Sequence, residues 1–451
     1  MKEVAIIGAG LSGTLLAMNL LKQKSTKPIN IKLIDRNSET EMGPAYSTSE
    51  DYLLNVPVEK MGALSKEPEH FFKWALKKNI AVKEGDYLPR KLYREYIKEI
   101  FQRAFDEKAG NISFERIKGE AVDVKIESGK PKVFMSNGDE FPVDKLVLAL
   151  GNAPPLNPDL KSKDYLNDKR YIQNPWDKNI FEKISSNHTI FFIGTGQTTV
   201  DLVAGLNKRK HRGRLICISR RGLLPLSQKK VEAYPSFFNE LKGLNDILLV
   251  FSVVKKHIRI AEMKGIDPRA VIDSLRPHTQ TIWMNLPTAE KQRFLRHVFR
   301  YWEIIRSRIP PESDELVNKL RSSGQMEVLT GRITEIIPDK KMEIKYAERG
   351  TSNQKSVSVD FVINCIGPCQ DYERIDQPLI KKLLSRRLIQ CDPVHLGINA
   401  LPEGNVIQED GNPSNIIFTI GLPLKGIVWE SLAAPEIRAE AEVLSEILLS
   451  T

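Results

Sequence analysis

Cysteine is scarce in this chain: Cys217, Cys365, Cys369 and Cys391 are its four copies in 451 residues, and no two of them form a C-x-x-C pair. That scatter rules out a disulfide framework and points to a reducing, cytoplasmic setting. Long apolar runs are missing too. The longest nearly apolar stretch, Ile247 to Val254, is far too short to span a bilayer, so no membrane span is expected. No secretory leader is expected either, because Met1 runs within two residues into an apolar strand and no small-residue cleavage site follows. Gly/Ser-rich and Gln-rich tracts are absent, which leaves no candidate disordered arm, and no metal site is expected.

What is there reads as a multidomain enzyme. A chain of 451 residues exceeds what one hydrophobic core usually organises, so two or three domains are expected. The net charge of +10 raises three classes of partner: nucleic acid, an acidic membrane surface, or small phosphorylated ligands. Basic residues recur along the whole chain and are interrupted by acids, the densest groups being Lys208 to Arg214 and Arg293 to Arg308. No nucleic-acid partner is therefore expected, and small anionic ligands fit better.

The apolar strand Val4 to Ile7 runs into Gly8, Gly10 and Gly13 in the pattern G-x-G-x-x-G, with Leu11 and Ser12 between the last two, and then into a helical run from Thr14 to Leu21. Strand, tight turn and helix come in the order that a dinucleotide site requires, with the helix N-terminus facing the pyrophosphate. A second strand, Ile29 to Ile34, ends at Asp35 and Arg36. An acid at that strand end is placed to bind the ribose hydroxyls of an unphosphorylated adenosine. Further strands are predicted at Glu120 to Ile126, which contains Val122, at Lys132 to Met135, and at Lys145 to Gly151. These resemble the FAD-domain strands of two-dinucleotide flavoproteins, although Leu150 stands where that group usually has threonine before the glycine.

The same grammar repeats later. Thr189 to Ile193 leads into Gly194, Gly196, Gln197 and Thr198, then a helix from Val200 to Leu206, with Thr199 in place of the third glycine. A slightly wider contact between helix and strand is the expected consequence. The next strand, Leu215 to Ile218, ends in Ser219, Arg220 and Arg221 rather than in an acid. Arginine there can grip a 2′-phosphate, so this second site is read as NADPH-selective. A fixed FAD in the first site and an exchanging NADPH in the second suit hydride transfer.

Six segments then match one family in order: GPAYS at Gly43 to Ser47, LLNVPVEKMGAL at Leu53 to Leu64, LPRKLYREY at Leu88 to Tyr96, GTGQTTVD at Gly194 to Asp201, VINCIGP at Val362 to Pro368, and IGLPLKGIVWESLAAPEIR at Ile420 to Arg438. As a set they resemble the bacterial FAD/NAD(P)-binding proteins of the YdhS type, themselves distantly similar to flavin-containing monooxygenases. The resemblance implies that Asn55, Val56, Pro57 and Met61 lie beside the isoalloxazine ring. It also implies that Gly151 and the C-terminal residues Gly421, Leu422 and Leu424 approach the FAD, and that a helix beginning near Ala433 points at the pyrimidine end of the flavin, where it would stabilise the reduced anion. Glu430 reads equally as a polar group at that site or as a first-turn acid. Trp302, Arg306 and Arg308 match a W-x-x-x-R-x-R pattern of the same family. Two departures bear on the chemistry. Cys365 and Cys369 have the wrong spacing for a disulfide reductase and read as buried structural residues, and YIQNPWD at Tyr171 to Asp177 replaces the His-containing signature of flavin monooxygenases.

The expected fold is therefore α/β, with two Rossmann-like dinucleotide-binding domains and a helical insertion. Residues 1–158 begin the FAD domain, 159–229 begin the NADPH domain, 230–322 form the insertion, 323–360 return to the NADPH domain and 361–451 complete the FAD domain. Within the insertion, Phe294, Leu295, Val298, Phe299, Trp302 and Ile305 recur at the spacing of one buried helical stripe. Arg293, Arg296 and Arg300 share another face of that helix, as a solvated surface or a carboxylate receiver. The leading function is an FAD- and NADPH-dependent monooxygenase of a small polar or nitrogen-bearing metabolite, with molecular oxygen as a reactant. The alternatives are an NADPH reductase serving a quinone or partner protein, and a non-catalytic flavin-binding sensor or scaffold. No residue is assigned a catalytic role.

Overall fold

The computed structural model describes residues 1–23, 27–36, 42–43, 45–47, 50–351 and 353–450; Pro44 of the Gly43 to Ser47 run lies outside them. In chain order the strands are β1 (Lys2–Ile7), β2 (Ile29–Asp35), β3 (Ile112–Lys118), β4 (Ala121–Glu127), β5 (Lys130–Met135), β6 (Glu140–Pro142), β7 (Lys145–Leu148), β8 (Tyr171–Ile172), β9 (Ile190–Ile193), β10 (Leu215–Ser219), β11 (Met326–Pro338), β12 (Met342–Glu348), β13 (Gln354–Val359), β14 (Phe361–Asn364), β15 (Asn405–Ile407) and β16 (Pro413–Thr419).

Two large sheets organise them. The first has the order β15-β16-β7-β1-β2-β3 and is parallel except for β15 at its edge. The second has the order β13-β12-β11-β10-β9-β14-β8, parallel from β11 to β8, with β12 and β13 joining as antiparallel strands. The central strands read as unbroken apolar runs because both faces of a parallel sheet are covered. Val4, Ala5 and Ile6 in β1 and Ile190, Phe191 and Phe192 in β9 are fully buried. Helices Leu11–Lys22 and Ala434–Ser450 cover one face of the first sheet, so the two ends of the chain close one core. Strands β4 to β6 form their own antiparallel sheet, whose Val124, Val133 and Met135 pack against Leu146 and Leu148 of β7 on the opposite face.

Two local expectations are corrected. Regular pairing of β7 stops at Leu148 rather than at Gly151, because the chain turns away where Gly151 takes φ +63°. The run from Arg293 to Arg306 is not one helix. It breaks at Val298 (φ −107°, ψ −35°) into Thr288–His297 and Phe299–Arg306. The apolar stripe survives the break, since Phe294, Leu295, Val298, Phe299, Trp302 and Ile305 all join one core with Trp283 and Trp429. The shared arginine face does not survive it. Arg293 pairs with Glu290 at 3.5 Å on the first helix and Arg300 with Glu303 at 2.5 Å on the second. Among the described residues between Ser219 and Met326 the regular elements are all helices, beginning at Phe238 after an irregular stretch, with a single bridge between Ser227 and Ile309.

Candidate functional site

The first glycine turn is built by contact. Gly8 takes φ +110°, and a Cβ there would lie 2.2 Å from the carbonyl oxygen of Ala149. A Cβ on Gly13 would lie 1.9 Å from the carbonyl oxygen of Gly8, so helix Leu11–Lys22 presses directly onto the end of β1. Gly10 differs, because a Cβ there meets nothing within 4 Å. It is the residue that caps the helix, with no side-chain cap and no acid in the first turn, so the helix offers its unpaired backbone N–H groups to the space beyond. That space is a cleft of about 760 Å³ lined by Gly8, Gly10, Leu11, Ser12, Asp35 and Arg36 at this end. Asp35 accepts the N–H of Ala9 at 2.7 Å, which ties the glycine turn to the end of β2. An open approach to the Gly10 backbone beside an uncapped helix start is what a pyrophosphate requires.

The second turn is a looser copy. Gly194 takes φ +129°, with a Cβ position 2.4 Å from the Cys365 carbonyl oxygen, and Gly196 again faces open space. The buried hydroxyl of Thr199 donates to the carbonyl oxygen of Gly194 at 2.9 Å. A side chain and a hydrogen bond thus fit where the first site leaves no room for a methyl group. Gln197 and Thr198, at the start of helix Gln197–Lys208, line the same cleft as the first turn. Beyond β10, Arg220 is exposed, whereas Arg221 stacks on Tyr301 at 4.6 Å and donates to the carbonyl oxygen of His297 at 3.5 Å.

Helix Gln197–Lys208 is also what fixes the two sites relative to each other. Asn55 donates to the side-chain oxygen of Gln197 at 3.1 Å, and Gln228 donates to the backbone oxygen of Asn55 at 3.2 Å. Farther along the helix, buried Arg90 pairs with buried Asp201 at 2.8 Å, where burial pushes the Asp201 carboxyl up against the pull of Arg90. Arg209 grips Glu50 through two 2.7 Å hydrogen bonds, and Lys208 pairs with Asp51. Arg90 lies in LPRKLYREY and Asp201 in GTGQTTVD, and neither sequence pattern by itself gives the residue a role.

The far end of the cleft is closed by the helical region and the C-terminal segment together. Arg306 donates from Nε to both oxygens of Glu430, at 2.8 and 3.1 Å, and reaches Glu436 at 3.5 Å. Burial would lower the Arg306 guanidinium, but Glu430 and then Glu436 hold it above its ordinary value. Glu430 is thus the partner of the helical region, which gives the W-x-x-x-R-x-R pattern its meaning: Trp302 and Arg306 line the cleft, and Arg308 is buried against Asp273 at 2.9 and 3.0 Å. Trp283 donates to the carbonyl oxygen of Gly426 at 2.9 Å and stacks on Trp429 at 4.4 Å, which holds Trp429 in its left-handed conformation (φ +66°). Lys425, in this segment, lines the cleft. Its ammonium donates to Gln370 at 3.0 Å, lies over the rings of Trp429 and Phe299 at 5.4 and 5.6 Å, and is lowered by burial to about 8.

Of the other expected residues, Asn55, Val56, Met61, Gly151 and Leu422 line the cleft. Pro57 leads into the short turn Val58–Lys60 behind it. Ala121 and Glu120 face the cleft where Val122 was expected, at a bulge in the pairing of β4 with β5. Gly421 packs against Ser12, and Leu424 lines a neighbouring cavity of about 410 Å³ that shares Arg306 and Glu430 with the cleft. Cys365 and Cys369 are buried and unpaired, and burial pushes the Cys365 thiol up to about 12. No helix among the described residues is long and apolar enough to cross a membrane.

Residues 5–153, which carry the first glycine turn, match the family described as FAD-NAD(P)-binding. The uncharacterized protein YdhS of Escherichia coli is 24% identical over 189 residues, a match spanning 39% of this chain and 34% of that protein. Among solved structures, the reduced form of ornithine hydroxylase PvdA from Pseudomonas aeruginosa superposes with a TM-score of 0.67 at 14% identity, covering 100% of this chain and 99% of that one. The ornithine N-hydroxylase KtzI of Kutzneria sp. 744, solved with reduced FAD, NADP+ and L-ornithine, gives 0.65 at 12% identity, covering 99% of both chains. The fold is therefore that of the two-dinucleotide flavoproteins over the full length of the chain.

Proposed function

We propose that this protein is an FAD-dependent, NADPH-using monooxygenase of a small polar or nitrogen-bearing metabolite. The observation that carries the reading is the cleft that joins the first glycine turn to Gln197 and Thr198, at the helix start after the second turn, and ends on Trp302, Lys425 and Trp429. Gly10, Leu11 and Ser12 would hold the FAD pyrophosphate, Asp35 its ribose, and Gly196, Gln197 and Thr198 the pyrophosphate of NADPH, with Arg220 and Arg221 on its 2′-phosphate. When bound, the FAD supplies the redox chemistry, accepting hydride from NADPH and passing electrons to oxygen. The chain's own part is positioning, exclusion of water and proton handling. The Asn55–Gln197 hydrogen bond aligns the two nucleotide sites, and the Arg306–Glu430 pair holds the helical region across the end of the cleft. Lys425, lowered to about 8, exchanges a proton near neutral pH where a substrate would lie. The full-length likeness to two ornithine hydroxylases supports the choice of monooxygenation. A reducing cytoplasm suits the four free thiols.

Stopped-flow absorbance tests the reading. The flavin-loaded protein is mixed with NADPH without oxygen and then with oxygen. Fast bleaching followed by a transient near-ultraviolet band is the expected result. Bleaching without the transient would mean a reductase, and no bleaching would mean a flavin-binding scaffold.

A further inference from the structure

Away from the cofactor cleft, the described residues gather one group of three unlike metal-binding side chains. Asp371 stands at the start of the turn Tyr372–Arg374, and Cys391 and His395 come from the loop after helix Pro378–Ser385. Their ligand atoms all lie within 4.8 Å of one another. The Nδ1 of His395 is 3.2 Å from Oδ1 of Asp371, and the Cys391 sulfur is 3.9 Å from the same oxygen. A tetrahedral zinc ion, with bonds of about 2.0 Å to nitrogen and oxygen and about 2.3 Å to sulfur, separates its ligands by about 3.3 Å (N···O) and about 3.5 Å (S···O). The two distances to Asp371 are therefore within about 0.4 Å of those such an ion would need, and all three ligand atoms stand within 4.8 Å of one another.

The surrounding backbone holds that arrangement. Asp392 accepts the N–H groups of Val394 and Leu396 at 2.8 and 2.6 Å, and Cys391 bridges to Ile398, so the 391–398 loop is closed on itself. The Glu373 N–H donates to Oδ1 of Asp371 at 3.2 Å and orients the carboxylate. Asp371 and Cys391 are half-buried and His395 is exposed, which leaves a path for an ion and room for water. One thiolate, one imidazole and one carboxylate suit a zinc-class transition metal rather than magnesium or calcium, which take oxygen ligands.

We propose that Asp371, Cys391 and His395 bind one zinc-class ion, with water as the fourth ligand. This adds a metal site where the scattered cysteines of the sequence predicted none. The side-chain oxygen of Gln370, the neighbour of Asp371, accepts from the Lys425 ammonium, so the ion braces the wall of the cofactor cleft from behind and takes no part in the redox step.

The test uses the FAD-loaded protein after chelator treatment, titrated with Co2+. The expected result is one ion per chain, with ligand-field absorption in the red where oxidised flavin does not absorb. Cys391→Ser should abolish those bands, and His395→Ala should weaken Co2+ by more than the roughly 10–100-fold that loss of an outer partner costs. His297→Ala serves as an unrelated control and should bind like wild type. Red bands absent from the wild type, or surviving both variants, would overturn the proposal. A second measurement covers a variant that fails to fold. Cys217, Cys365 and Cys369 are buried, so a maleimide should label Cys391 of the wild type selectively. Zn2+ should slow that labelling at least tenfold and Mg2+ should not; a rate indifferent to Zn2+ refutes the site.

Discussion

Alanine at three positions of one turn should separate what glycine does for the fold from what it does for the cofactor. At Gly13 a Cβ would stand 1.9 Å from the Gly8 carbonyl oxygen, where ordinary contact begins at 3.4 Å, so helix and strand must part by about 1.5 Å. Both partners are backbone in a packed core, and overpacking of that kind costs about 3 kcal/mol or more, which lowers Tm by roughly 6–12 °C for a domain of this size. Gly8→Ala adds the strain of φ +110° to a 2.2 Å approach and should be at least as damaging. Gly10→Ala adds a methyl group where nothing lies within 4 Å, at a φ of −67° that alanine adopts freely. The apo-protein should melt as wild type does. FAD should suffer instead, because the methyl group fills the space a pyrophosphate needs. Each charge-assisted hydrogen bond forfeited there is worth about 1.5–3 kcal/mol, or roughly tenfold or more in affinity. The assays are flavin absorbance per protein after gel filtration and thermal melts of the apo-proteins. Full flavin in Gly10→Ala would refute the placement of the pyrophosphate; a large fall in its apo Tm would mean that Gly10 serves the fold.

Two further predictions concern the other ends of the cleft. Arg220→Ala and Arg221→Ala together should weaken NADPH by roughly tenfold or more and leave NADH almost unchanged, read from anaerobic flavin reduction against nucleotide concentration. Only Arg221→Ala should also cost stability, by about 0.5–1 kcal/mol, since it alone stacks on Tyr301. Glu430→Gln takes from half-buried Arg306 its closest carboxylate, leaving Glu436 at 3.5 Å, and should destabilise by about 2–4 kcal/mol in thermal denaturation, while pairing it with Arg306→Met should recover much of the loss.

The two glycine turns were legible because their signals are local. Strand, glycine turn and helix lie within about 20 consecutive residues, and the apolar runs of β1 and β9 announce parallel strands on their own. What closes the cleft was not legible, because its partners are far apart in sequence. Arg306 and Glu430 are 124 residues apart and Arg90 and Asp201 are 111 apart, so only the fold brings them together. Glu430 stayed ambiguous for that reason, and the W-x-x-x-R-x-R pattern stayed a pattern. The break at Val298 was missed because apolar spacing continues through it and no glycine or proline marks it. The Asp371, Cys391 and His395 group hid behind a spacing of twenty residues and then four, which matches no metal motif that is read along a chain.

Selectivity under the proposed function belongs to the end of the cleft where the helical region meets the C-terminal segment. On that reading the two glycine turns would hold parts of nucleotides that every such enzyme shares, so they cannot choose a substrate. Phe299, Trp302 and Glu303 come from the helical region, and Lys425 and Trp429 come from the C-terminal segment. Neither segment shapes the site alone: Trp429 keeps its conformation against Trp283, and the hydrogen bonds of Arg306 to Glu430 lock the two together. Substitution in this region should therefore act on two quantities at once, the fit of the metabolite and the seal against water, whereas changes at Gly10 or Arg220 act on one nucleotide each. On that division, uncoupled NADPH consumption, measured as oxidation in excess of product formed, should be the parameter most sensitive to Trp302 and Lys425.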